Sequence, residues 1–229
     1  MIAFTLSSDF AMFRKPYTTV SPISFPAPNV GALRGIIGSI IGKDTDEIEG
    51  HIAVLPIKPA ERITFTLNVI GLKDWKMTRV QFPYSFLQNP AFRLYYTGPH
   101  EEQLFDYLKS NKTVYPVTLG PAYALATISD VASVSYEVTY SKEIHSVLYW
   151  PSNSELPKIS FENIIKTEMD EDIVRTTGDR FIMIYSYFPL CIEDEIQVWK
   201  ITEDVVINDD ALYLYPVKLN SEEGGKQNE

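Results

Sequence analysis

The amino-acid sequence predicts an α+β fold in which two short helices accompany many strands. Three observations carry this prediction. In the segment 63–69, apolar residues alternate with threonine and asparagine, which is the period-two pattern of a half-buried strand. In the segment 30–42, apolar residues recur at helical spacing. The segment 99–112 begins with proline, has two glutamates in its first turn and ends with lysines, an arrangement that complements the dipole of a short helix.

The N-terminal elements are a strand, a loop and a helix. Residues 2–6 are apolar and β-prone, and residues 7–29 contain prolines that forbid a continuing helix or central strand. Asn29 stands at the N-cap position of the helix predicted at 30–42. Several glycines line one stripe of this helix, so we expect something to pack closely against its bare backbone.

The middle of the chain completes a recognisable order of elements. An irregular acidic stretch comes first. The predicted elements after it are a strand at 63–69, a polar and basic insertion at 71–89, a strand at 92–96, the helix at 99–112 and a strand at 122–128. The order β-α-β-β-α-β is the split arrangement of a ferredoxin-like (RRM-like) domain, a fold that often presents its sheet or an adjoining loop to single-stranded RNA. Residues 1–130 are therefore predicted to form such a domain.

A second, β-rich part is predicted at 131–220. Apolar and polar residues alternate there in four segments, at 134–140, 181–188, 196–201 and 212–217. The last residues, 221–229, are polar and charged and are predicted to form a disordered tail.

Composition indicates a cytoplasmic protein. The 229 residues are 45% apolar and 13% aromatic, which is enough to bury a substantial core. The single cysteine, Cys191, excludes a disulfide framework and suits a reducing cytosol. The N-terminus lacks the charged start and the small-residue cleavage site of a signal peptide. The longest apolar stretch, 30–41, is only about half a membrane span, so no membrane partner is expected.

Charge is distributed unevenly along the chain. The formal net charge is −10, which argues against a generic nucleic-acid binder. However, residues 1–120 hold 12 Lys and Arg against 10 Asp and Glu, whereas residues 121–229 hold 8 against 20. An anionic ligand is therefore expected on the N-terminal half.

Several catalytic and metal-binding motifs are excluded by their spacing. The dipeptide Gly42-Lys43 resembles the end of a phosphate-binding P-loop, but Ile37 stands where the first glycine belongs. The acidic run at 168–172 lacks calcium-loop spacing and is more typical of a solvated face. No metal, cofactor or catalytic residue is expected, because the three histidines are far apart and lack the spacing of a zinc site. These histidines are His51, His100 and His145.

The proline-bounded loop carries the first candidate contacts to RNA. Its cations can hold phosphates while its aromatic rings stack on splayed bases. The alternative is a loop whose aromatic side chains fold back onto the core, and composition does not decide between the two. Besides Phe10, the candidates in this loop are Phe13, Arg14, Lys15 and Tyr17.

Further candidate contacts lie in the insertion and around the first helix. Arg34 interrupts the apolar and glycine stripe in the first turns of that helix, where the dipole disfavours a cation, so its presence indicates an anionic partner. The alternative is a surface arginine that lies over apolar neighbours. Lys43 follows the same helix and is included among the candidates. The insertion, which could equally be a hairpin with solvated lysines, contributes Lys73, Lys76 and Arg79 around Trp75.

These segments resemble a known protein family. Residues 10–15 (FAMFRK), 25–28 (FPAP) and 31–42 (GALRGIIGSIIG) together resemble the N-terminal signature of the family-five Cas proteins of the RAMP superfamily, most like those of type I-B CRISPR systems. Residues 89–95 (NPAFRLY) and 108–120 resemble the second half-motif of the family. The first block is fairly specific, because a strand, a proline loop and a glycine-striped helix follow in that order.

The resemblance implies both a fold and a function. The fold would be a ferredoxin-like palm with a projecting thumb within residues 71–89. The function would be that of a non-catalytic subunit of a type I CRISPR surveillance complex (Cascade) in antiviral defence. Such a subunit binds the 5′ handle of the crRNA, caps the filament of backbone Cas subunits and contacts the large subunit. It meets target DNA only indirectly.

Two alternatives stay open. One branch of the family, in type I-C systems, cuts the precursor RNA itself with tyrosine, lysine and histidine. Here the histidines follow glycine, proline and isoleucine, so no Lys-His pair exists and a separate endonuclease is expected to mature the RNA. The first alternative is nevertheless a metal-independent endoribonuclease acting on CRISPR repeat RNA. The second is a scaffold without RNA contact.

Overall fold

A computed structural model describes residues 1–16, 18, 21–69, 80–159, 167–173, 180–186, 189–204, 206 and 211–217. Two α-helices, α1 (Val30–Ile41) and α2 (Glu101–Lys109), and a 3₁₀ helix (Thr45–Glu47) lie within these residues. The strands in the same ranges are β1 (Ile2–Ser7), β2 (Phe10–Ala11), β3 (Phe13–Arg14), β4 (Ser24–Phe25), β5 (Gly50–Pro56), β6 (Glu61–Val69), β7 (Val80–Gln88), β8 (Ala91–Thr97), β9 (Thr127–Ser133), β10 (Ser135–Ile144), β11 (Leu148–Pro151), β12 (Thr167–Ile173), β13 (Arg180–Ser186), β14 (Leu190–Glu203), β15 (Ala211–Leu212) and β16 (Tyr215–Val217). The α+β prediction is confirmed.

A five-stranded antiparallel sheet organises the molecule, with the strand order β16-β5-β8-β1-β9. Both of its faces are buried. On one face Phe4, Val54 and Leu94 belong to the same core cluster as the apolar residues of α1 and α2. On the other face Ala53 and Tyr95 pack against residues of the C-terminal strands. The sheet therefore lies between a helical layer and a β-layer.

Helix α1 follows the sequence prediction closely. The side chain of Asn29 accepts a hydrogen bond from the Ala32 N–H at 2.8 Å and caps the N-terminus. Gly42 ends the helix with a φ of 76°, and its N–H bonds the Gly38 carbonyl. A Cβ at Gly38 would lie 2.5 Å from the Lys43 carbonyl oxygen, so the close approach predicted for the glycine stripe is made there by the chain itself.

Two predicted strands of the central sheet are wrong. Its second strand along the chain is β5, in the stretch predicted to be irregular, and not the segment 63–69. That segment is strand β6, which pairs with β7 in a separate hairpin. The fourth strand is β9, which starts at residue 127, whereas the sequence placed it at 122–128. Strand β5 escaped prediction because both of its faces are covered, which leaves a continuous apolar run instead of alternation.

The hairpin β6–β7 spans more of the chain than the predicted insertion at 71–89. Its strands pair from Glu61↔Gln88 to Val69↔Val80, and residues 70–79 lie outside the described part. The short strand β2 joins β7 on the other side, so a three-stranded sheet β2-β7-β6 stands beside the central one.

The C-terminal part is β-rich, as predicted. It forms the sheets β10-β14-β15 and β11-β13-β12, and β16 returns to the edge of the central sheet. The acidic run at 168–172 lies in β12, and the predicted boundary at residue 130 falls within β9. The tail at 221–229 lies outside the described residues. None of the helices in the described ranges combines the length and apolar composition needed to cross a membrane.

Candidate nucleic-acid interface

The structure brings together two stretches that the sequence presented separately, the proline-bounded loop and the β6–β7 hairpin. Strand β2, at the start of the loop, pairs with β7 through Phe10↔Gln88 and Ala11↔Leu87. Further along, the N–H of Ser85 donates to the Pro22 carbonyl at 2.9 Å. The loop thus runs along one edge of the hairpin.

Five aromatic rings from four segments meet where the loop and the hairpin join. Phe86 is buried at the centre, with the ring of Phe65 5.9 Å away, the ring of Tyr84 stacked at 6.2 Å and that of Tyr123 also at 6.2 Å. Phe10 packs edge-on to Phe65, with 5.6 Å between ring centroids. We call these five residues the aromatic cluster.

The outer rings of the aromatic cluster face solvent. Phe65 is 44% exposed and Tyr123 is 63% exposed, although both belong to residue types that usually bury their rings. Partial burial against the cluster raises the pKa of Tyr123, and the neighbouring Tyr84 raises it further. Its hydroxyl, protonated at neutral pH like that of any tyrosine, can donate a hydrogen bond. Exposed rings held by a buried one suit the stacking of unpaired bases.

Sequence reasoning considered only Phe10 of this cluster as an RNA contact and missed Phe65, Tyr84, Phe86 and Tyr123. Phe65 lies in an alternating strand, where apolar positions are expected to face a core. Tyr84 lies in β7, within the stretch predicted to be a basic insertion, and Tyr123 was assigned to a strand. The sequence does show many aromatic residues in these segments, but it does not show that the segments meet, because that depends on the tertiary fold.

Two of the predicted cations, Arg14 in β3 and Lys15 just after it, lie at the short hairpin β3–β4 of the same loop. Arg14 is exposed, and its Nε and Nη2 donate to the Thr18 carbonyl at 3.2 and 2.7 Å, which fixes the guanidinium at the surface. The Nζ of Lys15 lies 5.6 Å from the centre of the Phe25 ring. Both cations are thus held on a stretch that continues directly from β2 and its aromatic residue Phe10.

Phe13 has a different place from the predicted one. It is 3% exposed, and its ring packs edge-on to Phe92 at 6.0 Å in the main core. Its N–H donates to Ser24 Oγ at 3.0 Å. A ring buried in this way cannot stack on a base, so the prediction for Phe13 is corrected to a core role, the alternative considered for this loop.

Arg34 is not a surface residue either. It is 3% exposed, and Nη2 lies 3.8 Å from Asp46 Oδ1. Among the described residues, neither its Nε nor its Nη2 finds a hydrogen-bond partner. Lys43 pairs with Glu47 at 3.6 Å. A hydrogen bond from the Asp44 backbone, followed by the charge of Lys43, lowers the pKa of Glu47. Both cations therefore face carboxylates of the 3₁₀ helix rather than the aromatic cluster.

The other predicted contacts, Tyr17, Lys73, Lys76 and Arg79, lie outside the described residues.

The histidines have three unrelated environments. His51 packs edge-on to Trp199 with 4.8 Å between ring centroids, and His100 Nε2 lies 3.0 Å from the Glu47 carbonyl. His145 Nδ1 accepts the Ala211 N–H at 3.2 Å. In the described part of the chain, no group of three His, Cys, Asp or Glu side chains is placed to hold a metal ion.

Comparisons with known proteins bear on the fold. No protein-family model matches the sequence, and no curated protein matches it. A chain of a CRISPR RNA-guided surveillance complex superimposes with a TM-score of 0.50 at 13% identity, over 83% of this chain and 91% of that one. A crystal structure of a CRISPR-associated protein gives 0.43 at 13% identity, over 84% and 91%. A chain of a type III-B Cmr-β complex bound to cognate target RNA and AMPPnP gives 0.45 at 10% identity, over 82% and 86%. The chain thus shares its fold with a chain of a CRISPR RNA-guided surveillance complex.

Proposed function

We propose that this chain is a Cas protein that acts as a non-catalytic, RNA-binding subunit of a CRISPR surveillance complex. One observation carries the proposal. The proline-bounded loop and the hairpin converge on an aromatic cluster with exposed rings, and the same loop carries the two cations Arg14 and Lys15. The fold shared with a chain of such a complex supports the same role.

The palm of this subunit is ferredoxin-like in our proposal. Strands β5, β8, β1 and β9 are adjacent in that order, and α1 and α2 occupy the two connections that the β-α-β-β-α-β arrangement requires. The hairpin β6–β7 interrupts the direct connection between β5 and β8, which is where a thumb would project.

RNA would be held by two kinds of contact. Phe65 and Tyr123 offer ring faces to unpaired bases, and every base can use them because each has a π-face. Arg14 and Lys15 supply positive charge for the phosphates that follow. The hydrogen bonds from Arg14 to the Thr18 carbonyl hold its guanidinium in position before RNA arrives, which lowers the entropic cost of binding.

The finer identity rests on the sequence segments. We propose a family-five Cas protein, most like type I-B, that grips the repeat-derived 5′ handle of the crRNA in the cytoplasm. The backbone Cas subunit and the large subunit of a type I complex are its proposed protein partners, and target DNA is reached through them. The less acidic N-terminal half, which contains four of the five residues of the aromatic cluster, is the half expected to face the RNA.

The alternative role is a metal-independent endoribonuclease. The described contacts of the three histidines involve Trp199, Glu47 and Ala211, and none of these belongs to the aromatic cluster. We propose that the subunit binds RNA without cutting it. Incubation of the purified protein with labelled repeat RNA in EDTA is expected to leave the RNA intact, and cleavage at one position would favour the enzyme.

The binding role is tested with a short labelled single-stranded RNA of mixed sequence. Replacing Tyr123 with alanine should weaken binding about 5- to 150-fold, because a base–aromatic stack contributes about 1 to 3 kcal/mol. The matched control is Tyr140→Ala, which removes a similarly exposed tyrosine that lies on strand β10, outside the aromatic cluster. Equal affinities of the two variants, or equal binding of a duplex, would remove the aromatic cluster from the site.

A further inference from the structure

An exposed apolar face lies on the C-terminal part, on strand β10 and its partner β14. On β10, Tyr136, Val138 and Tyr140 are 38%, 52% and 66% exposed. They occupy alternate positions of one strand, so their side chains point to the same side of the sheet. Because directly paired residues share a face, the pair Val138↔Trp199 places Trp199 of β14 on that side as well. We call these four residues the β10–β14 face.

The β10–β14 face leads into a cavity of about 350 Å³. The Trp199 ring connects them, since it lies 6.1 Å from Tyr136 on one side and 4.8 Å from His51, a residue of the cavity wall, on the other. Trp150 and Tyr213, whose rings are 6.0 Å apart, line the same cavity. The volume is at the low end for small-ligand sites, so the cavity fits a single ring or one aliphatic side chain.

Acidic residues flank the β10–β14 face at both ends. Beyond Tyr140 the pairing of β10 with β14 shifts register, and the extra residues Glu193, Asp194 and Glu195 of β14 are exposed there. At the other end the exposed Glu203 is paired with Ser135. Lys158 lies 3.9 Å from Glu193 and offsets one of these charges, while Lys142 and Glu143 of β10 offset each other. Both ends therefore remain negative.

The apolar face, the cavity and the acidic ends together favour one class of binding partner. Nucleic acid is disfavoured because its phosphates would meet the acidic ends. A second copy of this chain would bring acidic residues against acidic residues. A protein segment with an apolar anchor and basic flanks satisfies both features, because the anchor fills the cavity while the flanks approach the carboxylates.

We propose that the β10–β14 face and its cavity dock a protein segment in which an aromatic or aliphatic side chain is flanked by lysine or arginine. The surface shares no residue with the aromatic cluster, so the proposal goes beyond the RNA-binding function and does not depend on it. The anchor supplies most of the affinity and the basic flanks supply orientation and selectivity.

The probe is a synthetic peptide with one leucine between lysines, and the comparison peptide has glutamates in place of the lysines. Binding to the full chain is followed by NMR through the indole N–H resonances of Trp150 and Trp199. The lysine peptide is expected to shift both resonances and to bind at least 10-fold more tightly than the glutamate peptide. Val138→Asp should weaken binding of the lysine peptide about 10-fold. Glu195→Lys should reduce the preference for the lysine peptide over the glutamate peptide.

Matched controls keep the test decisive. The substituted side chains are exposed, so the fold should survive, and unchanged indole resonances before titration verify this. The variants should also keep the RNA affinity of the parent chain. The proposal is overturned if the lysine peptide shifts neither indole at millimolar concentration, if both peptides bind equally, or if single-stranded RNA displaces the peptide. Self-association that Val138→Asp abolishes would overturn it in favour of a second copy.

Discussion

The Arg93 guanidinium forms a bidentate pair with the Asp204 carboxylate, with Nη2 2.5 Å from Oδ1 and Nε 3.1 Å from Oδ2. Both side chains are fully buried. Nη1 of Arg93 also donates to the Asp130 carbonyl and to Thr5 Oγ1, while the Tyr95 hydroxyl donates to Asp204 Oδ2 at 2.9 Å. One ion pair therefore joins three strands of the central sheet to the chain that follows β14.

Removing one partner of this pair should strongly destabilise the protein. Asp204→Ala leaves Arg93 as an unpaired buried charge, and we expect a loss of about 3 to 5 kcal/mol in the free energy of unfolding, measured by urea denaturation. Glu193→Ala, which breaks the exposed pair with Lys158, should cost less than about 1 kcal/mol. Similar small losses for both variants would contradict the structural role of the buried pair.

Stability should decline in alkali through Tyr95. Burial, followed by the charge of Asp204, raises the pKa of this hydroxyl above its ordinary value. Above pH of about 10 the unfolded chain releases a proton that the folded chain keeps, so this contribution to stability is complete below that pH and is lost as the pH rises further. Tyr95→Phe should show a shallower decline between about pH 9 and 11 in urea midpoints. Parallel curves would contradict the assignment.

The cations of the loop should set the salt dependence of RNA binding. For the double variant Arg14→Ala and Lys15→Ala, we expect the slope of log affinity against log salt to flatten by about 1 to 2, because a chain that neutralises fewer phosphates releases fewer counterions on binding. Lys142→Ala removes an exposed cation from the acidic half and should leave the slope unchanged. If the double variant keeps the parental slope, the two cations do not bind phosphate.

Ile37 should contribute through packing alone. It is completely buried between α1 and the sheet, so Ile37→Ala is expected to leave a cavity and to lower the free energy of unfolding by about 2 to 5 kcal/mol. RNA affinity of the folded fraction should stay at the parental value, as measured at low temperature. A selective loss of affinity would place RNA on this helix.

Removing the charge of Arg34 should raise the free energy of unfolding, whereas Ile37→Ala lowers it. Its guanidinium is desolvated, and the nearest carboxylate oxygen, on the exposed Asp46, is 3.8 Å away. Arg34→Met keeps the buried stem and removes the charge, so we expect the free energy of unfolding to rise by about 1 kcal/mol. Lys43→Met, which removes a half-exposed pair, should change stability by less than that. A large loss of stability in Arg34→Met would show that the charge is needed by the fold.

Local signals predicted α1 well, whereas features that depend on tertiary burial were missed. Asn29 and Gly42 mark the ends of the helix because capping needs only neighbouring residues. Alternation in β6 predicts a strand but does not tell which of its sides is covered, so the exposure of Phe65 could not be predicted. The burial of Phe13 in the core was likewise not visible in the sequence. The ion pair between Arg93 and Asp204 joins residues far apart in the sequence, and no local sequence pattern predicts it.

Strand β16 has a consequence for how the protein is made. Its partner β5 lies more than half the chain earlier, since Tyr215 pairs with Ile52. During synthesis on the ribosome, the helices and the strands β1, β5, β8 and β9 emerge first, and one edge of β5 stays unpaired until residues 215–217 have been made. Unpaired edges template wrong pairing. Newly made chains that stall before residue 215 should therefore be the species most dependent on chaperones.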